Sequence, residues 1–149
     1  MKNITLKIIG KQYDGENQSE EMEFVTDGKM SYRNGTTYLV YDESEFSGFP
    51  GCKTVLKLSD KGIKMKRSGN GDGYGAELMF GKGQRFSGRY DTPFGNVDIE
   101  VLTNNIKASY DNDKGGNVDI DYHVMASDLV ESRNTLSINF SVESEDANK

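Results

Sequence analysis

The stretch AELMFGKGQRFSGRYDTPFGNVDIEV, residues 76–101, predicts two β-hairpins in series. Apolar and charged residues alternate along it, so that one set of side chains lies on each face of a sheet. Pro93 and Gly95 occupy the positions at which a four-residue turn needs a fixed φ and a left-handed residue. The apolar face comprises Ala76, Leu78, Phe86, Tyr90, Val97, Ile99 and Val101.

The same alternation recurs on both sides of this stretch. It predicts strands at 4–8, 22–31, 37–45, 118–126 and 136–142, with Asn34-Gly35 as a tight hairpin turn. Residues 13–21 are expected to be a polar connection, and 128–133 a short turn of helix. About ten strands joined by short turns favour an all-β fold, an antiparallel up-and-down barrel of 8–10 strands, because closure removes exposed edges.

Three hairpin registers can be predicted, because a slip of one residue would turn the apolar side chains towards water. The first pairs Thr54 with Arg67, the second pairs Tyr74 with Tyr90, and the third pairs Tyr90 with Val97. In each of them the apolar residues stay on one face of the sheet.

Size and composition limit the class of protein. The chain has 149 residues, a formal net charge of −6 and one cysteine. We predict one barrel domain at 1–143 and a flexible tail at 144–149. The acidic balance disfavours DNA, the lone thiol favours a reducing compartment, and no apolar run is long enough for a membrane helix. We therefore expect a cytoplasmic protein with no membrane partner.

Several short motifs in the chain carry a family resemblance. These are Lys7-Ile8-Ile9-Gly10 with Asp14-Gly15-Glu16, Tyr38-Leu39-Val40-Tyr41 with Glu43, Glu45 and Gly48, Lys57-Leu58, Tyr90-Asp91-Thr92-Pro93-Phe94-Gly95, Ile120-Asp121-Tyr122, and Asn134 with Leu136 and Ile138. In these the chain resembles the YwiB-like proteins of Gram-positive bacteria, a family of unknown function. The resemblance implies a calycin-like, lipocalin-type β-barrel and implies no reaction.

The residues that could carry catalysis or bind a metal are sparse. His123 and Cys52 are single residues of their types: a catalytic His123 would need a serine beside it in a cleft, and a reactive Cys52 would need more positive charge nearby than the adjacent Lys53. The Asx-rich runs 70–73 and 111–113 lack the full ligand set of a calcium loop. We therefore predict no catalytic residues, no metal and no cofactor, and favour a protein that is not an enzyme.

Polar residues on the inward phase of the strands suggest a ligand pocket. Arg67, Tyr74, Tyr90, Tyr122 and Thr54 are the predicted ligand-binding residues. Arg67 and the tyrosine hydroxyls would fix the polar or anionic end of a small molecule above an apolar base. Alternatively, Arg67 lies near the mouth of the barrel and meets a carboxylate or a carbonyl there.

A second hypothesis places the function on the outer surface. Lys57 and Lys64 are predicted to face each other across a hairpin, which is unfavourable without acidic neighbours or an anionic partner. Outward apolar residues at Val55, Met79 and Leu102 add a possible contact surface. The barrel would then be structural and would bind a protein or RNA partner. The oligomeric state is left open.

Overall fold

The computed structural model describes residues 1–14, 17–43, 51–69, 73–126 and 130–143. These residues form ten strands, and they contain no helix. The strands are β1 (Lys2–Asp14), β2 (Asn17–Arg33), β3 (Thr36–Asp42), β4 (Lys53–Ser59), β5 (Gly62–Ser68), β6 (Gly75–Phe80), β7 (Arg85–Thr92), β8 (Gly95–Asp111), β9 (Gly115–Ala126) and β10 (Val130–Val142).

All ten strands belong to one closed antiparallel barrel. Each strand pairs with its neighbours in the sequence, and β1 pairs with β10 to close the ring, for example Leu6 with Phe140 and Ile8 with Ile138. Closure leaves no free sheet edge along the ring, which is the usual reason for an up-and-down barrel. The predicted fold class is therefore confirmed.

The core consists of the inward-facing side chains, as the period of two along the strands requires. Branched aliphatic and aromatic residues fill the barrel at the level of Ile4 to Ile8 of β1. The largest fully buried side chains are Phe80, Phe140, Ile4, Leu6, Ile8, Met30, Leu39, Leu56, Leu58, Ile120, Ile138 and Val101.

Two of the three predicted hairpin registers are confirmed. Thr54 pairs with Arg67 across β4 and β5, and Tyr90 pairs with Val97 across β7 and β8. The turn between β2 and β3 is also as predicted, since Asn34 and Gly35 both have positive φ values, 52° and 82°. These are the conformations that a two-residue turn needs to match the twist of the strands.

The predicted register of β6 against β7 is wrong by two residues. Ala76, rather than Tyr74, pairs with Tyr90. The connection spans residues 81–84, where a three-residue loop at Gly81-Lys82-Gly83 was predicted. Thr103 of β8 binds this connection: its carbonyl accepts from the Gly83 N–H at 2.9 Å, and its N–H donates to the Gln84 carbonyl at 3.0 Å. A two-residue shift preserves the inward face, so the apolar pattern could not reveal it.

Two other local predictions are also wrong. Residues 13–21 are not a connection, because β1 continues to Asp14 and β2 begins at Asn17. The described part of 128–133 is strand, since β10 begins at Val130. Where a strand extends beyond the core, both of its faces carry polar residues, and the alternation that predicts a strand is absent. The predicted tail at 144–149 lies outside the described residues.

Candidate functional site

One row of inward-facing side chains crosses five neighbouring strands. Cross-strand pairing places Tyr41 beside Thr54, Thr54 beside Arg67, Arg67 beside Ala76, and Ala76 beside Tyr90. Neighbouring strands lie about 4.8 Å apart, so these side chains are direct neighbours on the barrel wall. Ala76 is 2% exposed and lies between Arg67 and Tyr90 in this row.

The row forms one wall of a cavity of about 390 Å³ at one end of the barrel. This volume falls within the range of small-molecule sites, roughly 300–1,000 Å³. Apolar side chains contribute much of the lining: Ile8, Met22, Phe24, Met65, Leu78 and Leu136. Polar and charged residues contribute the rest: Lys11, Gln12, Glu20, Glu21, Tyr41, Glu43, Arg67, Tyr90, Tyr122, Asn134 and Thr135.

The polar centre of the cavity is an ion pair between Arg67 and Glu43. The guanidinium Nε and Nη2 both lie 3.3 Å from Glu43 Oε1, and the Thr54 hydroxyl donates to the same oxygen at 2.6 Å. The side chain of Arg67 is 14% exposed, and that of Glu43 is 1% exposed. Arg67 therefore meets a carboxylate, as one of the two sequence-based interpretations required, and it also lines the cavity.

Three tyrosines surround this ion pair. Burial is the main cause that raises the pKa of Tyr41, Tyr90 and Tyr122 above that of a free phenol, while the positive charge of Arg67 opposes the rise. Their hydroxyls therefore stay protonated at neutral pH and can donate hydrogen bonds. The Tyr122 ring also packs edge-on against Phe80, with 4.9 Å between the ring centroids.

The five predicted ligand-binding residues are not all brought together. Arg67, Tyr90 and Tyr122 line the cavity. Thr54 does not line it, and its hydroxyl donates a hydrogen bond to Glu43. Tyr74 lies elsewhere: it precedes β6, is 41% exposed and does not line the cavity. It was expected inside because the predicted register paired it with Tyr90, and the two-residue shift moves it beyond the end of β6.

Glu43 is the residue that the sequence prediction missed. Its signal was present, because Leu39, Tyr41 and Glu43 share one strand phase and the first two are inward. The composition hid it: 24 acidic residues in 149 supply many carboxylates at even spacing. Among the acidic residues that the structure describes, Glu43 is distinguished by its burial and by its ion pair with Arg67 at 3.3 Å.

The lysines on the outer surface have acidic and aromatic neighbours. Lys57 and Lys64 do face each other across β4 and β5, as predicted. Lys64 lies 3.4 Å from Glu77, and the Lys57 ammonium lies 5.8 Å from the centre of the Tyr38 ring. These contacts offset part of the like-charge repulsion without a binding partner.

The remaining candidate residues lie apart from the cavity lining. His123 Nε2 lies 3.8 Å from Glu131, and its Nδ1 contacts Asn104, the extra residue of a β-bulge in β8. Cys52 is buried. Within the described ranges, no three His, Cys, Asp or Glu side chains form a group that could hold a metal ion.

In the Asx-rich run 111–113, the carboxylate of Asp111 accepts hydrogen bonds from nearby backbone N–H groups. The Asp111 side chain accepts the N–H groups of Asp113 and Lys114 at 2.9 and 2.6 Å. These backbone bonds, led by the one from Lys114, lower the pKa of Asp111. Run 70–73 lies mostly outside the described residues. In the part of the chain that the structure describes, no helix has the length and apolar character needed to span a membrane.

Comparisons with known proteins place the chain among barrels of unknown function. A crystal structure of the ywiB protein from Bacillus subtilis is similar, with a TM-score of 0.74 and 21% identity, over 96% of this chain and 93% of that one. No curated protein matches. A family described as "Domain of unknown function (DUF1934)" matches residues 6–138. The chain belongs to this family of YwiB-like barrels.

Proposed function

We propose that this protein binds a small amphipathic molecule in the cavity at the end of its barrel and does not transform it. One observation carries the proposal: a cavity of about 390 Å³ joins an apolar wall to a polar centre of Arg67, Tyr90 and Tyr122. Binding sites for small molecules commonly combine mostly apolar walls with a few converging polar groups.

The shape of the cavity and its chemistry support a binder more than a catalyst. The polar groups are an ion pair and tyrosine hydroxyls that stay protonated at neutral pH. Such groups orient a ligand, but they offer no nucleophile with an adjacent base. The apolar side chains would take the body of the ligand, because burying it removes apolar surface from water.

A pair of matched variants tests the proposal. Met22→Trp places an indole at the partly buried position that lines the cavity, whereas Met79→Trp makes the same change on the outer face of β6, where Met79 is 40% exposed. We expect a thermal-shift screen of alkyl amides, alcohols, acids and nucleosides to find a molecule that stabilises the wild type and Met79→Trp, but not Met22→Trp.

Two results would refute small-molecule binding in the barrel. One is that no compound class in the screen stabilises the wild type. The other is that every stabilising compound acts equally on Met22→Trp, which would place its site elsewhere.

The alternative, a structural barrel that binds a protein or RNA through its outer face, has narrower support. Met79 and Phe94 are exposed, with 98% of Phe94 accessible. The lysines that suggested a polyanion have neighbours in Glu77 and Tyr38. Retrieval of a partner from lysate by the wild type, lost on Phe94→Ser and unaffected by nuclease, would favour a protein partner.

A further inference from the structure

Glu43 and Arg67 both line the cavity, and Glu43 is the more deeply buried of the two. Its side chain is 1% exposed, while that of Arg67 is 14% exposed. The carboxylate oxygen Oε1 receives the guanidinium Nε and Nη2 at 3.3 Å and the Thr54 hydroxyl at 2.6 Å. A ligand that touches Arg67 would therefore meet a guanidinium whose positive charge the Glu43 carboxylate already balances.

The other charges around the cavity do not restore a positive environment. Lys11, Glu20 and Glu21 line it together with the ion pair. The described lining has two cationic side chains and three carboxylates, but Glu20 and Glu21 are exposed and screened by solvent, so the charges that a buried ligand end meets are those of the neutral pair Arg67 and Glu43. A carboxylate moved from water into this cavity would lose its hydration without meeting a net opposite charge, which is unfavourable.

We propose that Glu43 sets the ligand's charge, and that the cavity selects an amphipathic molecule whose buried end is an uncharged oxygen acceptor, such as an amide or a hydroxyl, over a carboxylate. The inference rests on the proposed function, and of the polar or anionic end expected from the sequence it selects the polar one. An uncharged carbonyl needs only a donor from Arg67 or from a tyrosine hydroxyl, and it costs far less to desolvate than an ion.

Three probes with the same alkyl chain separate charge from shape: octanamide, octanoate and octylammonium. Titration of the wild-type protein, followed by two-dimensional NMR, compares their dissociation constants at neutral pH. We expect octanamide to bind at least about tenfold more tightly than octanoate, a difference of about 1.4 kcal/mol. We expect octylammonium to bind more weakly than octanamide as well, because an ammonium group loses its hydration on burial and Arg67 offers it only hydrogen-bond donors.

Glu43→Gln tests the assigned residue directly. Glutamine keeps the size of the side chain and an oxygen that can accept from Thr54, but it removes the negative charge that lies 3.3 Å from the Arg67 guanidinium. The ratio of octanoate affinity to octanamide affinity should rise by about tenfold or more. The matched control is Glu20→Gln, which removes the same formal charge from the solvent-exposed mouth and should change the ratio by less than about threefold, since exposed charges are screened.

The outcomes separate this inference from the proposed function. If octanoate or octylammonium binds the wild type as tightly as octanamide does, the charge preference is overturned while binding in the barrel stands. An unchanged ratio in folded Glu43→Gln overturns the role of Glu43. Should that variant not fold, the comparison on the wild type decides alone. If no probe binds, the inference is overturned, and the proposed function falls only if the compound screen also fails.

Discussion

Replacing Arg67 by methionine tests whether loss of one partner of the ion pair in the cavity lowers the free energy of unfolding as much as expected for a buried pair. Methionine keeps most of the aliphatic stem and removes the guanidinium that lies 3.3 Å from Glu43 Oε1. The carboxylate of Glu43, 1% exposed, would then retain the Thr54 hydroxyl at 2.6 Å as a donor but lose its counter-ion. Removing one partner of a buried pair leaves an uncompensated charge, and this typically costs about 3–5 kcal/mol.

The expected cost lies at the lower end of that range. Thr54 continues to donate to the carboxylate, so we expect the free energy of unfolding to fall by about 3 kcal/mol. In a chain of 149 residues, this corresponds to a loss of about 10 °C in Tm. The double variant Arg67→Met with Glu43→Gln should recover at least about 1 kcal/mol, because no unpaired charge remains.

Urea unfolding followed by far-UV circular dichroism measures both effects, and the chain offers a matched control. Arg89 forms a short ion pair with Asp91, at 2.7 Å, but its side chain is 43% exposed. Arg89→Met should therefore have little effect on stability, because water replaces the lost partner. If Arg67→Met costs no more than Arg89→Met, or if the double variant is less stable than Arg67→Met, the buried-pair reasoning is refuted.

Two further predictions concern buried hydroxyls. Thr54→Val should cost about 2 kcal/mol, because its hydroxyl donates to the charged Glu43, whereas Thr37→Val should cost about 1 kcal/mol, because its hydroxyl donates to the neutral amide of Asn112 at 2.9 Å; equal costs in urea unfolding would contradict this. Burial raises the pKa of Tyr122, so its contribution to stability is complete below the unfolded value of about 10 and is lost as pH rises further, when the unfolded state releases its proton first. The wild type should therefore lose stability between about pH 8 and about pH 11 more steeply than Tyr122→Phe, by at most about 1.4 kcal/mol per pH unit, and parallel urea midpoints would refute the assignment.

Local chemistry made the barrel predictable before its geometry was known. Tight turns such as Asn34-Gly35 and Thr92-Pro93-Phe94-Gly95 fix the register of the strands they join. A one-residue slip is unfavourable, because it would turn the inward apolar residues towards water. The same logic could not exclude a two-residue slip between β6 and β7, because that slip leaves the inward set unchanged. The hydrogen bonds between Thr103 and the connecting loop extend the pairing of β7 with β8 into that loop, and they involve a strand outside the β6–β7 hairpin.

The candidate site was predictable to the extent that the strands carrying it were in register. Thr54 and Arg67 share a confirmed hairpin, so their adjacency followed from the sequence. Tyr74 was placed through the wrong register and lies outside the cavity. The polar ends of β1 and β2 were missed because residues at the mouth of a barrel are exposed to solvent on both faces. The alternation that identifies a strand is therefore absent there.

The sequence by itself determined the central parts of the strands, most of their turns and the side of the sheet that the core residues face. These properties depend on the period of two and on turn conformations, which involve residues close together in the chain. The tertiary structure alone decided which inward residues meet: it brought Glu43 to 3.3 Å from Arg67, placed Tyr90 and Tyr122 in the same cavity, and excluded Tyr74. Those contacts cross several strands, and their energies depend on burial and charge balance, which exist only once the barrel has closed.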